Sequence, residues 1–328
     1  MVSNKIKVGI NGFGRFGQHL LIYWLKNYHL CNYEISYIND DFLNEEKIID
    51  IIINDKKLFE PIYNFDLNNN ILKITTDEIK HQILITNSSS ENINWIGLPR
   101  FFLECSGKNT DAKNCKKFLK NNTRNVFISA TSPSADKTIV YGFNHKQKIN
   151  ENEIISYGSC TVNAFVVFAN YINYNYEIIN SDVNVIHNVP KYQLKEFDTL
   201  KRKFCTLEKS GPLLLDFLNN NNFKVNYTLI PYSGVSIIDF RFQVRESVIK
   251  DDFIQKLEED LNKDILSSLY SIKIKDEGPE FHKNTDKSAV FIRNNIEILG
   301  NNIYVHSYFD NENSVNRYHD LINYFSLT

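Results

Sequence analysis

Cys160 is the residue of this chain best suited to nucleophilic chemistry. It stands at the start of an apolar predicted helix, residues 162–172, where free backbone amides and the positive end of the helix dipole favour a thiolate. His187 follows an apolar strand at 182–186, and a neutral imidazole near the sulfur could take the thiol proton. Either residue alone is typical of an inert buried cysteine or a strand-end histidine, so the pairing needs a second indication.

The second indication is a glycine motif. Residues 7–17 read Lys-Val-Gly-Ile-Asn-Gly-Phe-Gly-Arg-Phe-Gly, an apolar strand that runs into Gly-x-Gly-x-x-Gly and then into an apolar helical segment. In such a motif Gly12 allows a tight turn, Gly14 lets backbone amides approach a pyrophosphate, and Gly17 lets the helix pack close to the strand. The sequence therefore predicts a dinucleotide-binding site.

A carboxylate at the end of the next strand refines this prediction. The strand at 34–39 leads into Asp40, where an acidic side chain is placed to accept hydrogen bonds from an adenosine ribose. A carboxylate there would repel a 2′-phosphate, Asp41 adds a second negative charge, and no arginine follows before Phe42. NAD is therefore favoured over NADP.

The two features together predict one reaction. The thiol of Cys160 could add to an aldehyde, and the thiohemiacetal so formed could pass a hydride to a nicotinamide and become a thioester. The imidazole of His187 would hold or protonate the hemiacetal oxygen.

The composition argues against several other classes of function. The 328 residues are enough for about two domains with sizeable cores. A net charge of −2 gives no indication of nucleic acid or of an acidic membrane surface. No run approaches the roughly 18 apolar residues of a membrane span, and the first residues leave no room for a signal peptide. Five cysteines without close spacing argue against a disulfide framework and a metal site, so we expect a cytoplasmic enzyme.

The order of predicted elements indicates two domains. Predicted strands of the first half lie at 34–39, 71–75, 79–86, 101–105, 125–129 and 138–142, with helices at about 44–53 and 110–120. This alternation predicts an α/β fold with a doubly wound parallel sheet and some antiparallel insertion. Later segments are strands at 225–230 and 236–244 and helices at 162–172, 213–219 and 252–261, which predict a mainly antiparallel sheet with helices on one face. We expect a dinucleotide-binding domain at 1–158, completed by a C-terminal helix at 315–328, and a catalytic domain at 159–314.

Short motifs stand in a specific order along the chain: 8–17, Ile-Asn-Asp at 38–40, Glu-Cys-Ser-Gly at 104–107, Ile-Ser-Ala at 128–130, Gly-Phe-Asn-His at 142–145, Ser-Cys-Thr-Val-Asn at 159–163, His187, Val-Ser-Ile-Ile-Asp at 235–239, Tyr-Phe-Asp-Asn-Glu at 308–312 and Asn-Arg at 316–317. In order and spacing this set resembles the glyceraldehyde-3-phosphate dehydrogenase family over nearly the whole chain. The resemblance implies a Rossmann domain plus an α+β catalytic domain, assembled as a homotetramer. It also implies the glycolytic, NAD-dependent oxidative phosphorylation of glyceraldehyde 3-phosphate to 1,3-bisphosphoglycerate.

The resemblance also implies roles for individual residues. Cys160 matches the nucleophile and His187 its base. The cofactor site it implies consists of Asn11, Gly12, Phe13, Gly14, Arg15, Phe16, Asp40, Ser106, Gly107, Ser129, Ala130 and Asn311. The donors it implies around inorganic phosphate are Ser159, Thr161, Ser210 and Gly211.

Departures from the family pattern cluster at the substrate. Leu229 stands where the family has a phosphate-binding arginine, and Pro190 where it has a threonine that also holds the phosphate. Leucine cannot replace a guanidinium fork. Candidate replacement cations are Lys191, Lys195, Arg202 and Arg241. Val162 lacks the usual hydroxyl, and a shortened segment at 188–210 leaves a tetramer and a dimer both open.

Three hypotheses follow from these departures. The first is a phosphorylating glyceraldehyde-3-phosphate dehydrogenase. The second is the same thioester chemistry on a different aldehyde, such as erythrose 4-phosphate or an unphosphorylated one. The third is a non-catalytic paralogue that keeps the dinucleotide fold, against which the retention of Cys160 and His187 argues.

Overall fold

Two sheets organise the chain, each in its own unit. The structure, a computed structural model, describes residues 5–189, 194, 201–232, 235–310 and 314–327. One unit comprises Met1–Ile139, His145–Tyr157 and Tyr318–Thr328, and the other comprises Val140–Asn144 and Gly158–Arg317. The first is α/β with a parallel-rich sheet, and the second has a mainly antiparallel sheet, so the predicted fold class is confirmed.

The first unit is built on a parallel-rich sheet. Its strands are β1 (Ile6–Asn11), β2 (Tyr33–Asn39), β3 (Asn64–Asn68), β4 (Ile71–Thr75), β5 (Lys80–Thr86), β6 (Phe101–Glu104), β7 (Asn125–Ile128), β8 (Lys137–Thr138) and β9 (Ile154–Ser156). Their order in the sheet is β3-β4-β5-β2-β1-β6-β7-β9-β8. Strands β3, β4 and β5 pair antiparallel, and the other neighbours pair parallel.

The strand order places a switch point at β1. From β1 the chain passes to β2 on one side, and after β5 it returns to place β6 on the other side of β1. Such a switch point is where α/β sheets bind ligands, at the carboxyl ends of the strands. Helices α1 (Arg15–Lys26), α2 (Glu45–Asn54) and α3 (Ala112–Cys115) belong to this unit. All residues of β6 and β7 are buried, as expected for parallel strands covered on both faces.

The second unit carries the mainly antiparallel sheet. Its strands are β10 (Ile178–Asn188), β11 (Phe223–Ile230), β12 (Ser236–Val244), β13 (Tyr270–Lys273), β14 (Ala289–Leu299) and β15 (Asn302–Phe309), in the order β11-β10-β12-β15-β14-β13. The pairs β10–β11 and β13–β14 are parallel, and the others are antiparallel. Its helices are α4 (Cys160–Tyr176), α5 (Leu207–Leu214), α6 (Lys250–Asp260) and α7 (Asp264–Leu269), and α8 (Ser314–Phe325) begins in this unit.

Buried and half-buried residues alternate along β12, and the buried ones pack against α4. Every second residue of β12 is buried, as a strand with one face on a core requires. Phe240 and Phe242 on that face contact Phe165 and Phe168 of α4, with ring centroids 5.0–6.2 Å apart. Burying such rings stabilises the unit by about 2 kcal/mol each. None of the helices in the described ranges is long and apolar enough to cross a membrane.

Two predicted elements were wrong. The strand predicted at 138–142 stops at Thr138, because the chain turns there: Asn144 Oδ1 accepts from the Val140 amide at 2.7 Å, and Gly142 has a φ of +89°. The helix predicted at 213–219 is instead α5, which starts earlier and ends at Leu214. Asparagine side chains that bond to nearby amides at 219–222 favour a turn over a continued helix.

Candidate active site

Cys160 is the first residue of α4, and a tight turn places it there. Ser159 caps the helix, since its Oγ accepts from the Val162 amide at 3.3 Å. Gly158 has a φ of +85°, and a Cβ at that position would lie 2.9 Å from Val162 Cγ1. The glycine thus permits the close approach that brings the sulfur to the helix N-terminus.

The structure brings His187 and Cys160 together. His187 Nε2 lies 3.4 Å from Cys160 Sγ, and His187 Nδ1 lies 2.8 Å from the Asn188 carbonyl oxygen. Because a carbonyl oxygen only accepts, Nδ1 carries the proton and Nε2 presents its lone pair to the thiol. Ser236 donates to Asn188 Oδ1 at 2.6 Å and accepts from the Asn188 amide at 3.0 Å, which fixes the residue that orients the ring.

Burial decides the protonation state of the sulfur. Loss of contact with water raises the pKa of the Cys160 thiol to about 11; hydrogen bonds from Thr161 lower it, and the Asp310 carboxylate raises it further. Desolvation therefore opposes the thiolate that the helix N-terminus favours, and a resting thiolate stays a prediction. With the pKa of the thiol raised, removal of its proton by His187 would assist its attack on a carbonyl.

An apolar wall surrounds the imidazole. The rings of Tyr227 and Phe309 lie 5.5 Å and 5.8 Å from the ring of His187, centroid to centroid. Leu229 is the register partner of His187 on the neighbouring strand, so it lies beside His187 on the same face of the sheet. The side of the site that Leu229 forms is thus apolar.

Hydroxyl groups lie around the start of α4. Thr161 Oγ1 lies 3.8 Å from Cys160 Sγ, and Ser159 Oγ lies 3.4 Å from Thr206 Oγ1. The Ser210 hydroxyl donates to the Thr206 carbonyl at 2.7 Å, a bond within the first turn of α5. Sequence reasoning missed Thr206, because a threonine 46 residues from Cys160 carries no local indication of its place.

Gly211 is held by packing. A Cβ there would lie 2.8 Å from Phe223 Cε1, so the glycine allows α5 to approach β11. This contact accounts for the glycine without any ligand.

The two candidate replacement cations in the described part of the chain, Arg241 and Arg202, have side-chain partners other than Leu229, although Arg202 pairs through its backbone with the neighbouring Thr228. Arg241 lies on the opposite face of the sheet from His187, 3.4 Å from Asp182. Arg202 Nη2 donates to the Val225 carbonyl at 3.1 Å. Pro190, Lys191 and Lys195 lie outside the described residues.

The glycine loop of the first unit forms a cradle. A Cβ on Gly12 would lie 2.4 Å from Ser106 Cα, and one on Gly17 would lie 2.3 Å from the Gly12 carbonyl oxygen, so both contacts require glycine. Around Gly14 a Cβ would meet nothing within 4 Å. No side chain caps α1 at Gly14 and its first turn holds no acidic residue, so this helix N-terminus suits a phosphate group.

Asp40 closes the cradle. Its Oδ2 accepts from the Phe13 amide at 2.7 Å, and its Oδ1 accepts from the Phe42 and Leu43 amides at 2.8 Å and 3.0 Å. A carboxylate has about four acceptor positions, which leaves capacity for a ribose hydroxyl. Asp41 pairs with Lys108, a partner that inspection of residues 40–42 alone could not predict.

The remaining predicted cofactor residues fall into three groups. Arg15 pairs with Asp55 at 2.6 Å on the surface, and Phe16 packs edge-on against Tyr157 and Tyr318. Other predicted residues lie at or next to the carboxyl ends of strands: Asn11, Ser106, Gly107, Ser129 and Ala130. Asn311 lies outside the described residues.

Differential reactivity of the cysteines follows from their burial. Cys31, Cys105, Cys115 and Cys205 are at most 8% exposed, and burial raises the pKa of the thiols of Cys31, Cys115 and Cys205 to about 12. One pKa unit corresponds to about tenfold more thiolate at Cys160. We expect iodoacetamide at pH 8 to modify Cys160 at least about tenfold faster than the others, measured by peptide mass spectrometry. Equal rates for all five would contradict this geometry.

Comparisons with known proteins agree with the motif pattern. The chain is 24% identical over 330 residues to glyceraldehyde-3-phosphate dehydrogenase 2 of Nostoc sp., which covers 94% of each chain. It is 24% identical over 345 residues to glyceraldehyde-3-phosphate dehydrogenase of Priestia megaterium, which covers 98% of each. Over 186 residues, 56% of this chain and 53% of the relative, it is 29% identical to glyceraldehyde-3-phosphate dehydrogenase of Geobacillus stearothermophilus. No family model matches the chain.

Proposed function

We propose that this chain, a divergent member of the glyceraldehyde-3-phosphate dehydrogenase family, is an NAD-dependent aldehyde dehydrogenase that works through a thioester on Cys160. The observation that carries the proposal is the 3.4 Å approach of His187 Nε2 to Cys160 Sγ, with the Nδ1 proton held by the Asn188 carbonyl. A pair with this geometry and tautomer is a nucleophile with its base. The glycine cradle and Asp40 are residues that fit NAD.

The chemistry proceeds by proton transfers through His187. Its Nε2 accepts the thiol proton as the sulfur bonds to the aldehyde carbon, and it returns that proton to the carbonyl oxygen to give a thiohemiacetal. NAD, when bound, supplies the acceptor for the hydride that leaves the hemiacetal carbon. As the hydride leaves, Nε2 takes back the hydroxyl proton, and a thioester remains on Cys160. Attack by a phosphate oxygen on the thioester carbon would break the carbon–sulfur bond and release the acyl phosphate, and the departing sulfur would take the proton held on Nε2, which restores the thiol.

Glyceraldehyde 3-phosphate and inorganic phosphate are the reactants that the family relationship favours. The hydroxyls of Ser159, Thr161 and Thr206 near the sulfur are neutral donors that suit a phosphate oxygen. The test is NADH formation from glyceraldehyde 3-phosphate with and without phosphate or arsenate. Turnover that requires the anion supports this function, and absence of turnover with this and with other aldehydes, while NAD binds, would favour a non-catalytic paralogue. Assembly as a homo-oligomer is part of the same proposal.

A different aldehyde is the second candidate, and Leu229 favours it. Loss of one charge-assisted contact lowers affinity by about 10–100-fold. If the substrate carries no phosphate, an apolar residue beside His187 does not weaken substrate binding. NADH formation with other aldehydes and not with glyceraldehyde 3-phosphate would establish this alternative.

Leu229→Arg is expected to shift the substrate preference toward phosphorylated aldehydes. A guanidinium beside His187 would meet the substrate phosphate, so kcat/KM for glyceraldehyde 3-phosphate relative to glyceraldehyde should rise by about 10–100-fold. Arg241→Leu is the matched control, because Arg241 lies on the opposite face of the sheet and should leave the ratio unchanged. An unchanged ratio in Leu229→Arg would show that the substrate phosphate does not lie there.

A further inference from the structure

Polar side chains end four neighbouring strands of the parallel sheet. Thr86, Asn39, Asn11 and Glu104 are the last residues of β5, β2, β1 and β6, and they are register partners across the sheet. Thr86 Oγ1 donates to Asn39 Oδ1 at 2.8 Å, and Asn39 Nδ2 donates to Asn11 Oδ1 at 2.9 Å. Asn11 Nδ2 then donates to Glu104 Oε2 at 2.7 Å. We call these four residues the amide row.

Every hydrogen bond along the amide row points toward Glu104. At that end a carboxylate only accepts, and it also receives the Ser106 amide at 2.8 Å, the Ser106 hydroxyl, and Asn109 Nδ2 at 3.1 Å. Next to the other end, the Ser88 amide donates to Asn39 Oδ1 at 3.1 Å, and the Ser88 carbonyl accepts from Asn39 Nδ2 at 2.9 Å. Because both ends are fixed in polarity, neither amide can flip, and the bonds strengthen one another.

The amide row lies directly beneath the cradle. The Gly12 amide donates to the Asn39 carbonyl at 2.7 Å, and the Cys105 amide donates to the Asn11 carbonyl at 2.7 Å. Asp40 follows Asn39 in the chain. The side-chain bonds therefore set the relative positions of the glycine loop, Asp40 and the loop at 105–107.

Glu104 is an unusual residue to bury in such a row. It is 1% exposed, and burial raises the pKa of its carboxyl while the hydrogen bonds from Ser106, Asn11 and Asn109 lower it. Burying a carboxylate destabilises the fold unless hydrogen-bond donors satisfy it. A neutral side chain at this position would destabilise the fold less, so stability alone does not explain a glutamate here.

We propose that Glu104 is a positioning residue for the dinucleotide: as the acceptor that terminates the amide row, it holds the glycine loop, Asp40 and Ser106 in the arrangement that binds NAD. The inference rests on the proposed NAD site. Glu104 acts through Asn11 and Ser106, and it is not itself a contact of the cofactor.

Glu104→Gln tests the inference, because it is isosteric and cannot be absorbed by amide flips. If its new NH₂ group faces Asn11 Nδ2, a flip of Asn11 would move the donor–donor contact to Asn39, and a flip of Asn39 would set its NH₂ against the Ser88 amide. If the introduced amide itself flips, its NH₂ group would face the Ser106 amide instead. One donor therefore stays opposed to another donor. We expect NAD to bind about tenfold more weakly by calorimetry, with kcat at saturating NAD changed less than twofold.

A further variant separates positioning from stability. Asn125→Ala removes buried hydrogen bonds at the amino end of β7, so it should lower the melting temperature and leave the NAD Kd unchanged. An unchanged Kd in Glu104→Gln, or an equal weakening of NAD binding in Asn125→Ala, overturns the inference. Absence of NAD binding by the parent protein would instead refute the proposed function.

Discussion

Replacement of Cys160 by serine is expected to reduce NADH formation by at least about 10⁴-fold, because the nucleophile of a covalent mechanism cannot be bypassed. A serine hydroxyl is a far weaker nucleophile, and His187 alone cannot form the thioester. NAD binding should be unchanged, since the cradle and Asp40 belong to the other unit of the chain. The measurements are initial rates of NADH formation and the NAD Kd by calorimetry.

Cys31→Ser is the matched control for this substitution. Cys31 is buried in the first unit and donates to the Asn27 carbonyl, a bond that serine can retain. This variant should keep parental activity. Activity of Cys160→Ser within tenfold of the parent would rule out a thioester on that sulfur.

Replacement of His187 by asparagine is expected to slow acylation by about 10²–10⁴-fold at pH 7. The variant also should acquire a steep pH dependence. Because the pKa of the Cys160 thiol is raised to about 11, only about one molecule in 10⁴ carries the thiolate at pH 7. The thiolate becomes dominant only above that pKa, so the rate should rise about tenfold per pH unit up to about pH 11.

The parent protein should have a flatter profile above neutral pH, because Nε2 takes the proton during attack. Single-turnover NADH formation at pH 6–10 measures both profiles. His29→Asn is the control, since His29 is exposed on the first unit and should leave the profile unchanged. Identical profiles for His187→Asn and the parent would remove His187 from the mechanism.

The sequence predicted the parts of the molecule that depend on local pattern. Alternation of strands and helices predicted the parallel sheet. The spacing of Gly12, Gly14 and Gly17 predicted the cradle, in which Gly12 and Gly17 allow close backbone approach and Gly14 leaves open space. The pairing of Cys160 with His187 was predicted from the chemistry of the two side chains. In the structure the pairing depends on the start of α4 and the end of β10 lying side by side in one unit.

The parts that escaped prediction depend on contacts between distant segments. Thr206 approaches Ser159 only when α5 packs near α4, and Glu104 meets Asn11 only when β6 pairs with β1. The raised pKa of the Cys160 thiol escaped prediction for the same reason. A helix start can be read locally, whereas the desolvation that raises the thiol pKa comes from the whole surrounding fold.

Trapping of the acyl enzyme tests the central claim most directly. The protein is mixed with NAD and glyceraldehyde 3-phosphate, or another aldehyde that it oxidises, in the absence of phosphate, and then quenched in acid for peptide mass spectrometry. We predict a burst of NADH and an acyl group on the Cys160 peptide that hydroxylamine removes and that phosphate discharges. A burst of NADH with Cys160 unmodified, or with the acyl group on another residue, would contradict the account.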